Sequence, residues 1–231
     1  KSYSFEWITL LYIVLCMIFA RSAAMAFNRY IDRDIDKENK RTSSVREIPN
    51  GTITARNALI FVIINSLLFI ATTSLINRLC LTLSPIALLI ILGYSYTKRF
   101  TPLCHLILGL GLALAPIGAY LAVSNQFDLI PILFSSTVLC WVSGFDIIYS
   151  LQDKEFDKAQ KLYSIPVIMG KRNALHISNL LHILSIIILA IAAYIGKFGT
   201  LYWIGFSIFS VLLIYQHTLV KHHDLSKVNL A

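Results

Sequence analysis

Residues 58–76 read ALIFVIINSLLFIATTSLI, nineteen residues without a charge, and theirs is one of seven predominantly apolar stretches in a chain of 231. A helix needs about 20 residues to cross the hydrocarbon of a bilayer, so each stretch is long enough to span. Lipid offers the backbone no hydrogen bonds, which leaves helices or a closed barrel as spanning structures. The stretches show no period-two alternation, so they are helices. The expected fold class is all-α, a polytopic transmembrane bundle with spans at 7–27, 58–76, 79–96, 105–124, 129–150, 174–195 and 199–220, forming one domain over residues 1–231. Cys16, Cys80, Cys104 and Cys140 are scattered through apolar sequence without CxxC spacing, which argues against a zinc site or a disulfide framework.

Basic residues orient such a bundle, because Lys and Arg collect on the cytoplasmic side. Of the 20, seven fall between Arg29 and Arg56, two at Lys98 and Arg99, five between Lys154 and Arg172, and two at Lys221 and Lys227. Every second loop is therefore basic, and the net charge of +8 is explained by topology and attraction to lipid headgroups. Nucleic acid is not needed as a partner. Nine of the twelve carboxylates lie in or beside the two long basic loops. Orientation does not explain them, since acidic residues contribute little to it.

Those carboxylates are patterned. In NRYIDRDID, Asn28, Asp32 and Asp36 are four apart and stack on one face of a helix continuing out of the first span. Arg21, seven before Asn28, shares that face. In FDIIYSLQDKEFDK, Tyr149, Asp153 and Asp157 repeat the spacing, with Asp146 seven before Asp153. Carboxylates so placed repel one another, and a hard cation that takes oxygen ligands offsets this. Mg2+ fits, because it is commonly held by one or two carboxylates together with substrate phosphates. Arg41, Arg46 and Lys98 supply further positive charge for a diphosphate.

On these residues the chain resembles the UbiA superfamily of membrane aromatic prenyltransferases, whose signatures are an NxxxDxxxD motif and a later DxxxD motif. The likeness extends through KRT (40–42), REIPNG (46–51), YSYTKR (94–99) and YSLQDKEFDK with the following LYSIPVIMGKR. It implies a bundle of usually nine spans, so that one helix is expected beyond each end of the seven seen here. It also implies that the two acidic motifs face each other at the cytoplasmic mouth of a central cavity, in the inner membrane of a bacterium. The implied reaction transfers a polyprenyl group from polyprenyl diphosphate to an aromatic acid, 4-hydroxybenzoate for ubiquinone or a dihydroxynaphthoate for menaquinone. In that scheme Asp32, Asp36, Asp153 and Asp157 hold Mg2+, Asn28 orients the first pair, and Arg41, Arg46 and Lys98 bind the diphosphate. Arg21 is assigned to the acceptor carboxylate or to an aspartate partner, because an arginine inside an apolar run needs an anion or water. Asp146 and Tyr149 are assigned to the acceptor phenol.

A transporter is the rival from another class, since ionisable residues in membranes often mark ion pathways. Transport sites lie near the midplane on broken helices, whereas these aspartates sit at helix ends. A purely structural subunit would not require two equally spaced acidic motifs. His176 and His182 are read as packing or hydrogen-bonding residues, and His217, His222 and His223 as an interfacial cluster.

Overall fold

The structure is a computed structural model that describes residues 6–221 and 223–228. Among these residues it is helical, with no β-strand. The elements are α1 (Trp7–Ile31), α2 (Arg33–Glu38), α3 (Ala55–Ile76), α4 (Arg78–Thr97), α5 (Cys104–Ser124), α6 (Leu129–Ser150), α7 (Lys154–Ala159), α8 (Ile165–Gly196) and α9 (Thr200–Leu219). Seven of them, all but α2 and α7, are long and apolar enough to cross a membrane. Their surfaces agree: Leu89 is 74% exposed and Leu201 84%, which only an apolar solvent tolerates over so many side chains.

The helices pack as two compact units, Lys1–Tyr96 with Gly118–Phe127, and Thr97–Ile117 with Asp128–Ala231. In the first, α1 lies along α3. The α3–α4 corner is closed by Asn77, whose amide nitrogen donates to the Leu121 carbonyl at 2.9 Å while its oxygen accepts from the Cys80 N–H at 2.8 Å. Thr54 starts α3 by accepting from the Asn57 N–H at 3.2 Å.

In the second unit α6 lies along α8, around a core of Ile147, Ile148, Leu151, Ile165 and Ala174. Small residues let these helices approach. A Cβ at Gly144 would overlap the His182 ring, and Ser178 Oγ donates to the Gly144 carbonyl at 2.7 Å. His182 Nε2 donates to the Trp141 carbonyl at 3.1 Å, so its Nδ1 accepts from His217 Nε2–H at 2.8 Å. His182 is thus the hydrogen-bonding residue expected. His217 is instead drawn to the bundle and away from the interfacial cluster read from sequence, and His222 lies outside the described residues.

The largest departure from the expected spans is α8, which begins at Ile165 and not near residue 174. Ser164 caps it by accepting from the Val167 N–H at 3.4 Å, and a proline follows in the first turn. The helix is then interrupted at Gly170, with φ 77° and ψ 164°, before it runs on into the span. That conformation is essentially restricted to glycine. Nothing lies within 4 Å of a Cβ built there, so the cost of Gly170→Ala is backbone strain alone. A loss of about 1–3 kcal/mol is expected in reversible unfolding, and an unchanged stability would mean that the break relaxes freely.

Candidate functional site

The first acidic motif does not ride on one continuous helix. α1 ends at Ile31, and Asp32 takes φ −90°, ψ 5° before the six-residue α2 begins. This bridge conformation is sparsely populated and recurs at functional residues. The i to i−4 bonding still runs through it: Asp32 N–H donates to the Asn28 carbonyl at 2.9 Å and Asp36 N–H to the Asp32 carbonyl at 2.7 Å. The spacing of four therefore survives while the helix axis is interrupted at the middle aspartate. Arg33 covers the end of α1, donating to the Tyr30 carbonyl at 2.7 Å with its guanidinium 4.8 Å from the Tyr30 ring.

Asp32 is 5% exposed, and its Oδ2 accepts from Asn28 Nδ2 at 3.0 Å. Asn28 Oδ1 in turn accepts from Arg29 Nη1 at 2.9 Å. Arg29 also approaches Glu47, and Arg46 Nε stands 3.9 Å from Asp36 Oδ2. That last distance is an ion pair and not a hydrogen bond, so Asp36 Oδ2 is buried without a hydrogen-bond partner among the described residues. Thr42 Oγ1 ties the following loop back by donating to the Asp36 carbonyl at 2.9 Å. Arg41 sits exposed in that loop.

The second motif repeats this construction within its own unit. α6 ends at Ser150, a 3-10 turn covers Leu151–Asp153, and Asp153 takes φ −94°, ψ 2° before the six-residue α7. Its geometry matches that of Asp32 within a few degrees. Asp157 is 8% exposed, and its carbonyl accepts from the Leu162 N–H at 2.8 Å, as the Asp36 carbonyl accepts from Thr42. Sequence spacing showed the repeat of aspartates; the repeat of joint, short helix and tied-back loop is visible only in the fold.

Lys98 is brought to the exit of this motif by backbone bonds. Tyr163 N–H donates to the Lys98 carbonyl at 2.7 Å, and Cys104 Sγ donates to the Tyr163 carbonyl at 3.6 Å. The TKR and YSIP segments, 65 residues apart from Lys98 to Tyr163, thus run side by side. Tyr149, in the last turn of α6, stacks on Phe145 with centroids 6.4 Å apart. Asp146 Oδ2 lies 2.6 Å from Nδ1 of His105, a residue that the sequence reading did not single out. Only one histidine at the start of an apolar run marks it, and no spacing rule joins it to an aspartate 41 positions on. Arg21 is exposed on α1 and forms no ion pair among the described residues, so the anionic protein partner considered for it is not found there.

The donor chemistry suits Mg2+. The four aspartates offer carboxylate oxygen only, and Asp36 Oδ2 is a buried anionic oxygen with no donor hydrogen-bonded to it among the described residues. Among the described residues no three His, Cys, Asp or Glu side chains converge into a ready-made cage. Mg2+ does not need one, since it keeps waters and takes substrate phosphates beside one or two carboxylates.

The chain matches the UbiA prenyltransferase family over residues 1–231. It is 32% identical over 219 residues to the 4-hydroxybenzoate octaprenyltransferase of Vesicomyosocius okutanii subsp. Calyptogena okutanii, covering 93% of this chain and 78% of that one. Its fold is similar to the apo structure of a UbiA homolog from Aeropyrum pernix K1, with a TM-score of 0.91, 29% identity, and coverage of 98% of this chain and 85% of that one. A UbiA homolog from Archaeoglobus fulgidus, solved bound to DMAPP and Mg2+, shares the fold at a TM-score of 0.76 and 20% identity, over 97% of this chain and 84% of that one. With a match that runs its whole length and a fold this similar, the chain belongs to the UbiA prenyltransferase family.

Proposed function

We propose that the chain, acting as one domain, transfers a polyprenyl group from polyprenyl diphosphate to the ring of an aromatic acid, with 4-hydroxybenzoate as the acceptor. The observation that carries this reading is the pair of acidic joints, each with a central aspartate in the same bridge conformation, in a member of a prenyltransferase family. The acceptor follows the curated relatives, which are named 4-hydroxybenzoate octaprenyltransferases.

Asp32, Asp36, Asp153 and Asp157 would hold Mg2+ at the diphosphate. When bound, the metal neutralises charge that builds on the leaving group. Asn28 fixes the rotamer of Asp32 through its amide. Arg41, Arg46 and Lys98 bind diphosphate oxygens, and their charge counts most as the allylic C–O bond breaks and its electron pair leaves with the diphosphate. The ring carbon ortho to the hydroxyl then forms the C–C bond, and the C–H bond at that carbon breaks with its proton passing to the released diphosphate or to water. Arg21, exposed and cationic within a span, takes the acceptor's carboxylate, a task for which a guanidinium fork is suited. Asp146 and Tyr149 face the acceptor's hydroxyl end. Membrane lipid surrounds the prenyl tail. In this reading the acidic motifs lie on the cytoplasmic side of a bacterial inner membrane, an orientation supported by the excess of Lys and Arg in their loops.

The test is transfer of radiolabelled polyprenyl diphosphate in membranes carrying the protein, with Mg2+ or EDTA, offering 4-hydroxybenzoate and a dihydroxynaphthoate in parallel. Metal-dependent prenylation of 4-hydroxybenzoate is expected, with EDTA abolishing product. Preference for the naphthoate would move the chain to menaquinone-type synthesis, and no product from either acceptor would overturn the reading.

A further inference from the structure

His105 is the second residue of α5 and is 2% exposed. Both of its ring nitrogens are engaged within the second unit. Nδ1 lies 2.6 Å from Asp146 Oδ2 on α6, and the Ile165 N–H, at the start of α8, donates to Nε2 at 3.3 Å. A backbone N–H can only donate, so Nε2 must present its lone pair. The ring proton is therefore on Nδ1, and His105 donates it to Asp146. That tautomer makes the ring neutral and leaves the negative charge on the aspartate.

The pair is asymmetric in a way that a structural staple is not. Asp146 Oδ2 is bound, while Oδ1 accepts no hydrogen bond among the described residues and the side chain remains 29% exposed. A carboxylate placed in a membrane helix merely to join two helices would have both oxygens satisfied, because an open one is costly there. A cation in place of His105 would neutralise the carboxylate; a neutral donor orients it and leaves its charge available. The orientation is stiff, since the His105 ring is itself pinned through Ile165 to the YSIP segment that follows the second acidic motif. Asp146 lies seven residues before Asp153, in the last two turns of α6, so the carboxylate stands in the span just ahead of the 3-10 turn that carries the second acidic motif.

We propose that His105 is the positioning residue for Asp146, holding its Oδ1 ready to accept the hydrogen bond of the acceptor's ring hydroxyl. This rests on the aromatic prenyl transfer proposed above. An anionic oxygen at the hydroxyl pushes electron density toward the ortho carbon that attacks the allylic centre. His105 touches no substrate; it acts through Asp146.

The experiment compares His105→Ala, His105→Asn and His105→Gln in membranes carrying the full protein, with melting curves for each. Asn places an amide nitrogen where Nδ1 stood and keeps the donor to Asp146. Gln places its amide where Nε2 stood and keeps only the Ile165 contact. His105→Ala is expected to lower kcat about tenfold, the usual scale for an orienting partner, while the KM for prenyl diphosphate stays within about twofold. His105→Asn should regain most of kcat and His105→Gln should not. Asp146→Ala combined with His105→Ala should be no slower than Asp146→Ala alone, as two residues acting as one unit require. Unchanged kcat in His105→Ala, better rescue by Gln than by Asn, or multiplying losses in the double variant would each overturn the proposal. Absence of transfer by the wild-type protein would instead remove the function itself, and this role with it.

Discussion

Asp32→Ala and Asp153→Ala are each expected to lower kcat/KM for prenyl transfer about 10³-fold at saturating Mg2+, a loss of about 4 kcal/mol in transition-state stabilisation. Each is the middle residue of its motif and sits at the joint where a spanning helix gives way to a six-residue helix. Alanine accepts φ near −90° with ψ near 0° as readily as aspartate does, so the joint itself should persist. What is lost is a carboxylate held in place by that joint. Stability should move the other way or not at all. Asp32 is 5% exposed, and like-charged Asp36 stands one turn on, so its removal relieves repulsion and the cost of burying a charge, which offsets the lost hydrogen bond from Asn28. Low activity with an unchanged or raised melting temperature is the signature of a functional carboxylate that the fold tolerates at some expense. Either variant keeping more than about a tenth of wild-type transfer at saturating Mg2+ would remove that aspartate from the metal site, since one ligand of a catalytic metal is worth more than that.

The seven spans were legible because burial in lipid imposes a length and a composition that hydropathy reads directly. The aspartates were legible because i to i−4 spacing survives the interruption at Asp32, where Asp32 and Asp36 still bond to the carbonyls four before them. The interruption was not legible. It is a change in two angles at one residue, with no proline or glycine to announce it. Gly170 is a different loss: the glycine is in plain view, but Lys171 and Arg172 beside it give the segment the composition of a loop and hide the helix start at Ser164. The pairs His105–Asp146 and His182–His217 join positions 41 and 35 apart. Periodicity describes one helix at a time, so it carries no information on which helix lies opposite. Arg21 marks the reverse case. Its place in an apolar run was plain, but the protein anion considered for it is not among the described residues.

Asn28 offers the second large effect, and it separates orientation from charge. Its amide donates to Asp32 Oδ2 at 3.0 Å and accepts from Arg29 Nη1 at 2.9 Å. A guanidinium has no acceptor and a carboxylate no donor, so the amide must lie with its oxygen toward Arg29 and its nitrogen toward Asp32. No other side chain of that length gives and receives in this way. Asn28→Asp keeps the bond from Arg29 but turns the donor facing Asp32 into a second acceptor. Asn28→Ala removes both bonds. If the motif needs negative charge alone, Asp should equal or improve on Asn by strengthening attraction for Mg2+. If it needs Asp32 fixed in one rotamer, Asp and Ala should fail together. The fixed rotamer is the expected outcome, with both variants losing about 10- to 100-fold in kcat/KM, as outer-shell partners of metal ligands do. Titrating Mg2+ against transfer rate decides it: a rightward shift in both variants fits orientation, whereas a leftward shift in Asn28→Asp with its rate preserved would show that the motif's first position contributes charge and that Asp32 is held in place without the amide.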